Sequence, residues 1–112
     1  MEDLTKKIIK FVDDRDWRQF HNPKDTAISL VLEATEYLEH FQWKNPEEIK
    51  KHIQDKKEDI GEELADILYW VILNAYYLDI DLQKAVEKKL EKNAQKYPIE
   101  KAKGQHTKYT EL

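Results

Sequence analysis

The sequence predicts an all-α fold: a four-helix bundle with one short extra helix, assembling into a homo-oligomer. Three observations lead there. The 112 residues include only two Gly and three Pro, so little interrupts a helix. Apolar residues recur every three or four positions over most of the chain, which is the helical period. The stretch after Asp66 is apolar on both sides, and a helix of that kind needs cover that one small chain can hardly supply. A second copy of the chain is the simplest cover. Residues 1–98 read as one domain and 99–112 as a polar tail without periodicity.

Taken in order, Leu4, Ile8, Phe11 and Val12 mark a first helix over about 2–14. The segment 15–24 reads as a loop, because Pro23 disfavours helix at Asn22. Its Trp17 and Phe20 either cap the core or offer a stacking surface to a planar ring. Asp25 is expected to cap a second helix reaching about Gln42, with Ala27, Leu30, Val31, Ala34, Leu38 and Phe41 as its core stripe. Glu33 lies at the edge of that stripe. Glu36 lies further round on the side of Ser29 and His40, and His40 reads as a helix-end residue rather than a ligand. Asn45-Pro46-Glu47-Glu48 is a helix start, with a capping residue, Pro at the first position and acids in the first turn. The short polar helix it opens is expected to end near Gln54.

A third long helix is expected over about 57–78, its core stripe being Ile60, Leu64, Ile67, Leu68, Val71, Ile72 and Ala75. Trp70, Leu73 and Tyr77 make its opposite side apolar too, and that side is assigned to the interface between copies. Trp70 follows one turn after the acids Glu63 and Asp66. The last long helix spans about 82–96, with Leu82, Ala85, Val86, Leu90 and Ala94 facing the core, and Tyr97-Pro98 stops it. Lys89, Lys92, Asn93 and Lys96 share another face. It serves either solubility or as a strip of donors for phosphate.

The formal net charge of −4 argues against a binder of nucleic acid polymers. The chain has no cysteine and therefore no disulfide or thiolate metal site. Charges at Glu2, Asp3, Lys6 and Lys7 break up any signal-like start, and no apolar run approaches the ~20 residues of a membrane span. A cytoplasmic protein is the expectation.

Two acidic pairs carry the chemistry. Glu33 and Glu36, and Glu63 and Asp66, stand three residues apart inside apolar runs, so each pair projects to one side of its helix. Other such pairs, among them Asp13/Asp16 and Asp55/Glu58, lie in polar surroundings and read as solvated faces. If the two helices face each other, four carboxylates meet. Such a cluster repels itself unless a hard cation neutralises it, and oxygen-only ligands suit Mg2+.

Seven stretches, in order along nearly the whole chain, carry a resemblance. They are Arg15 to Lys24, Glu33 to Glu36, Phe41 to Lys44, Glu62 to Asp66, Asp81-Leu82, Lys89 to Pro98 and Lys108 to Leu112. Together they resemble the MazG-like all-α nucleotide pyrophosphohydrolases, in particular the dCTP pyrophosphatase branch. The resemblance implies cleavage of a nucleoside triphosphate to monophosphate and pyrophosphate with Mg2+, and a tetramer built as a dimer of dimers. It places the acidic motifs on Glu33, Glu36, Glu63 and Asp66 as catalytic and metal-holding residues. It implies that Trp17 and Trp43 stack on the base, with Trp70 beside them where a Tyr is more usual, and that Lys89, Asn93 and Tyr97 form the phosphate side. A histidine found on the first helix of some members is replaced here by Ile8. Two other readings stand beside this one: a pyrophosphohydrolase of broad or modified-nucleotide specificity, and a non-catalytic helical interaction module. A di-iron bundle is set aside because no His follows a Glu by three residues.

Overall fold

The computed structural model describes residues 1–112. It contains five α-helices, two 3-10 turns and no strand, as the sequence predicts for fold class. The helices are α1 (Glu2–Asp14), α2 (Pro23–Glu39), α3 (Pro46–Tyr77), α4 (Leu82–Lys96) and α5 (Ile99–Ala102). They fall into two compact units, Met1–Asp79 and Ile80–Leu112. No helix is long and apolar enough to cross a membrane.

In the first unit α1 and α2 both pack against α3. The helix starts follow one local grammar. Asn22 caps α2 by accepting from the Asp25 N–H, with Pro23 at the first helical position. Asn45 does the same for α3, and Glu48 completes a capping box by accepting from the Asn45 N–H. Asp25, expected as the α2 cap, is therefore a first-turn acid instead. Asn-Pro fixes the start three residues earlier, because Pro gives up no donor that a helix would use there. Helix α2 ends at Glu39 rather than Gln42 and passes into a turn. The two helices expected over 46–54 and 57–78 are joined. Only Lys56 leaves helical geometry (φ −123°, ψ 25°), which makes a kink and not a loop.

The larger correction concerns faces. The side of α2 turned into the chain is Thr26, Leu30, Glu33, Tyr37 and His40, a row at helical spacing. The expected core residues Ala27, Val31, Ala34 and Leu38 point outward, and Val31 and Leu38 are each 60 % exposed. In α3 the expected core residues Leu64 and Leu68 are exposed, whereas Ile60, Ile72 and Ala75 are buried as expected. Trp70, Leu73 and Tyr77, expected at an interface between copies, are turned into their own chain, and Leu73 is fully covered. The reason is physical. Periodicity reveals that a helix has apolar faces, but not which of two the same chain will cover.

What holds α2 to α3 includes a polar clamp. Thr26, 1 % exposed, donates from Oγ1 to Asn74 Oδ1 at 2.9 Å, while Asn74 Nδ2 donates to the carbonyls of Thr26 and Trp70. Buried polar groups of this kind must be paired, since an unpaired one costs about 1–3 kcal/mol. Ile8 and Val12 bury α1 against the unit's core, and Phe11 meets Tyr69 edge-on at 6.1 Å. The loop after α1 is a 3-10 turn over Arg18–Phe20. It is tied down by Arg18, which forks onto Asp13 and also donates to the Tyr76 hydroxyl.

In the second unit Asp81 caps α4 by accepting from the Lys84 N–H. Val86 and Leu90, expected to face a core, are exposed. Residues 99–112, which lack periodicity, form the single helical turn α5 and a 3-10 turn over Tyr109–Glu111. Tyr97 rests edge-on against Tyr109, and Lys96 Nζ lies 4.8 Å from the Tyr109 ring centroid.

Candidate active site

Half-buried Glu33 and Glu63, with exposed Glu36 and Asp66 beside them, bring four carboxylates together where α2 meets α3. One oxygen from each of Glu33, Glu36, Glu63 and Asp66 lies within 4.8 Å of the others. The fold explains the convergence. Each pair sits three residues apart on its helix, and the Thr26–Asn74 clamp packs the same two helices against each other.

The cluster is electrostatically loaded. Burial, with Glu36 beside it and then Asp66 and Glu63, pushes the Glu33 carboxyl up to about 7. Burial and Glu36 also raise Glu63. Glu33 Oε2 and Glu63 Oε2 are buried without any hydrogen-bond partner. Two orphaned carboxylate oxygens in an all-oxygen donor set fit a hard divalent cation, which would take both lone pairs and charge.

The other sequence-selected residues are placed as follows. Trp43 stands in the turn after α2 and is 92 % exposed, with a left-handed backbone (φ 70°). That conformation costs an aromatic residue about 1–2 kcal/mol, so the turn holds an indole in open solvent against its own preference. Trp17 is partly covered, edge-on to Phe11 at 5.7 Å. Trp70 packs edge-on to His21 and Tyr69 inside the unit, one turn beyond Asp66. In the second unit Lys89, Asn93 and Tyr97 follow at four-residue spacing along α4 and its cap, and the Tyr97 N–H donates to the Asn93 carbonyl.

Two residues of the neighbourhood were not singled out by the sequence. His40, read as a helix-end residue, does end α2, but its Nε2 lies 3.8 Å from Glu63 Oε1. His52, on the first segment of α3, places Nε2 2.8 Å from His40 Nδ1. A signal for His40 was present: it follows Glu33 by seven residues, two helical turns, on the same side. None existed for His52, which reaches the site from before the Lys56 kink.

Residues 28–112 match the MazG-like family. The chain is 37 % identical over 114 residues to dCTP pyrophosphatase 1 of Rattus norvegicus, covering all of this chain and 67 % of that protein. It is 36 % identical to dCTP pyrophosphatase 1 of Homo sapiens with the same coverage. A crystal structure of a pyrophosphatase from Archaeoglobus fulgidus superposes with a TM-score of 0.83 at 36 % identity, covering 88 % of this chain and 92 % of that one. With a matching profile over most of its length, relatives identical over a third of their positions and the same helical fold, the chain belongs to the MazG-like family.

Proposed function

We propose that this chain hydrolyses dCTP to dCMP and pyrophosphate with Mg2+ held by Glu33, Glu36, Glu63 and Asp66. That it is a nucleotide pyrophosphohydrolase follows from its family and from its similarity, along the whole of this chain, to two thirds of the dCTP pyrophosphatases, and the interaction-module reading is thereby set aside. The observation that carries the metal reading is the convergence of four carboxylates with two buried, unpartnered oxygens. Bound there, Mg2+ supplies Lewis-acid polarisation of the phosphate oxygens and neutralises their charge. The chain's own residues do the rest. One carboxylate of the cluster takes the proton from the water that attacks the α-phosphorus. Trp43, open on all sides, stacks on the base with Trp17, and Trp70 lines the pocket beside the second acidic pair. The family resemblance assigns the phosphate contacts to Lys89, Asn93 and Tyr97.

Stacking contributes on the order of 1–3 kcal/mol per base and tolerates any base. The exposed Trp43 therefore also fits a broad-specificity enzyme, and a nucleotide panel separates the two readings. The outward residues Ile28, Val31, Leu32 and Leu38 of α2, with Leu64 and Leu68 of α3, are the surface we assign to assembly with further copies, as a dimer of dimers.

The test is direct. Purified protein is incubated with each deoxynucleoside triphosphate and Mg2+, and products are resolved by anion-exchange chromatography. The proposal expects dCMP and pyrophosphate in equal amounts, with dCTP turned over fastest and no product in EDTA. Release of inorganic phosphate instead, or equal turnover in EDTA, would contradict it.

A further inference from the structure

His40 and His52 form a two-ring chain that ends on the acid cluster. Their facing nitrogens, His40 Nδ1 and His52 Nε2, are 2.8 Å apart. Two imidazole nitrogens at that distance share one proton, so one ring donates and the other accepts. Burial and the nearby Lys44 push His52 below its ordinary value, which favours the neutral ring.

The carboxylate at the far end decides the direction. If His40 donated from Nδ1, its Nε2 would turn a lone pair toward Glu63 Oε1, 3.8 Å away. If His52 donates, His40 keeps its proton on Nε2 and presents an N–H to the negative oxygen. With both rings neutral, the second arrangement is attractive at both contacts and the first at only one. The rings are also held in place. Phe41 meets Tyr37 and His52 edge-on and lies tilted against His40, and the His40 side chain is only 16 % exposed. Glu63 Oε1 thus faces the imidazole across 3.8 Å, while Oε2 stays buried and unpartnered.

We propose that His40 is a positioning residue for Glu63: His52 fixes the Nε2–H tautomer of His40, and that N–H aims the carboxylate at the cation. This rests on the reading of Glu63 as a metal-holding residue. An outer partner of this type orients a metal ligand, and its loss typically costs 10–100-fold in metal affinity or activity.

Two measurements on the full chain test it. Long-range 1H–15N correlation spectra of the histidine rings at neutral pH read the tautomer, with His40→Gln and His52→Gln spectra assigning the signals. The expected result is Nε2–H for both His40 and His52. A His40 signal from the Nδ1–H tautomer, or from a rapidly averaging mixture, would overturn the proposal. Titration calorimetry then measures Mg2+ affinity, with kcat and KM for dCTP taken alongside. His40→Leu is expected to weaken Mg2+ binding about 10–100-fold and to lower kcat more than it raises KM. His52→Leu moves in the same direction by less. His40→Gln, which keeps an N–H donor, recovers most of the loss. Unchanged Mg2+ affinity in folded His40→Leu overturns the assignment. If that variant does not fold, His52→Leu and the tautomer decide in its place. An absence of dCTP cleavage by the parent protein would count against the proposed substrate alone, because the tautomer and the Mg2+ affinities are read without turnover.

Discussion

The two sides of α2 differ in a way that ordinary helices reverse. The side covered by the chain itself carries Thr26, Leu30, Glu33, Tyr37 and His40, while the side open to solvent carries Ile28, Val31, Leu32 and Leu38. Usually the apolar stripe is covered first, since burial is worth about 25 cal/mol per Å2 of apolar surface. Here the fold uses its own packing to hold four carboxylates against each other, which is unfavourable without a cation. The apolar side stays open in the single chain, and its exposed residues stand beside the acidic cluster on the same helix.

The sharpest way to break that comparison is on the inner side. Glu63→Gln keeps shape and removes a charge, so turnover is expected to fall by more than roughly 100-fold, beyond the usual effect of losing a ligand's outer partner. The thermal midpoint of the metal-free protein should hold or rise, because self-repulsion is relieved. Steady-state kinetics and a melt on the same sample check both halves.

Val31→Asp tests the outer side. If copies cover that face, a buried unpaired charge there destabilises association by several kcal/mol, and light scattering should show a smaller species at equal concentration. If the face is open in solution, the change falls within about 0.5 kcal/mol and the mass stays the same.

Thr26→Val probes what joins α2 to α3. It leaves Asn74 Oδ1 without its donor, and about 1–2 kcal/mol of stability should be lost in chemical denaturation. The activity per folded molecule should change far less than in Glu63→Gln.

A further expected effect is a pH dependence. Glu33 binds its proton more tightly in the folded chain than in the unfolded one. Its contribution to stability is therefore full below pH 4.5, its ordinary value, and is lost as pH rises through about 7. The metal-free protein should melt at a lower temperature at pH 8 than at pH 5.5 by this term, and saturating Mg2+ should flatten the trend.

How much was legible beforehand follows the same division. The positions of α1 and α4 could be read from periodicity, and both acidic pairs from their setting within apolar runs. Helix α2 starts at Pro23 rather than after Asp25, because Asn22-Pro23 opens a helix in the same way as Asn45-Pro46. The facing of α2 and α3 could not be read, since spacing alone does not say whether Val31 or Glu33 meets the neighbouring helix. His52 was beyond reach, because the approach of its ring to His40 depends on how α3 packs and bends.

The central claim is that α2 and α3 together hold one cation site. A crystal structure with Mn2+ in place of Mg2+ and a non-hydrolysable dCTP analogue tests it most directly. The account predicts an anomalous peak bounded by carboxylate oxygens of Glu33, Glu36, Glu63 and Asp66, with the analogue's phosphates alongside. A metal bound elsewhere, with those four side chains turned to solvent, would contradict it.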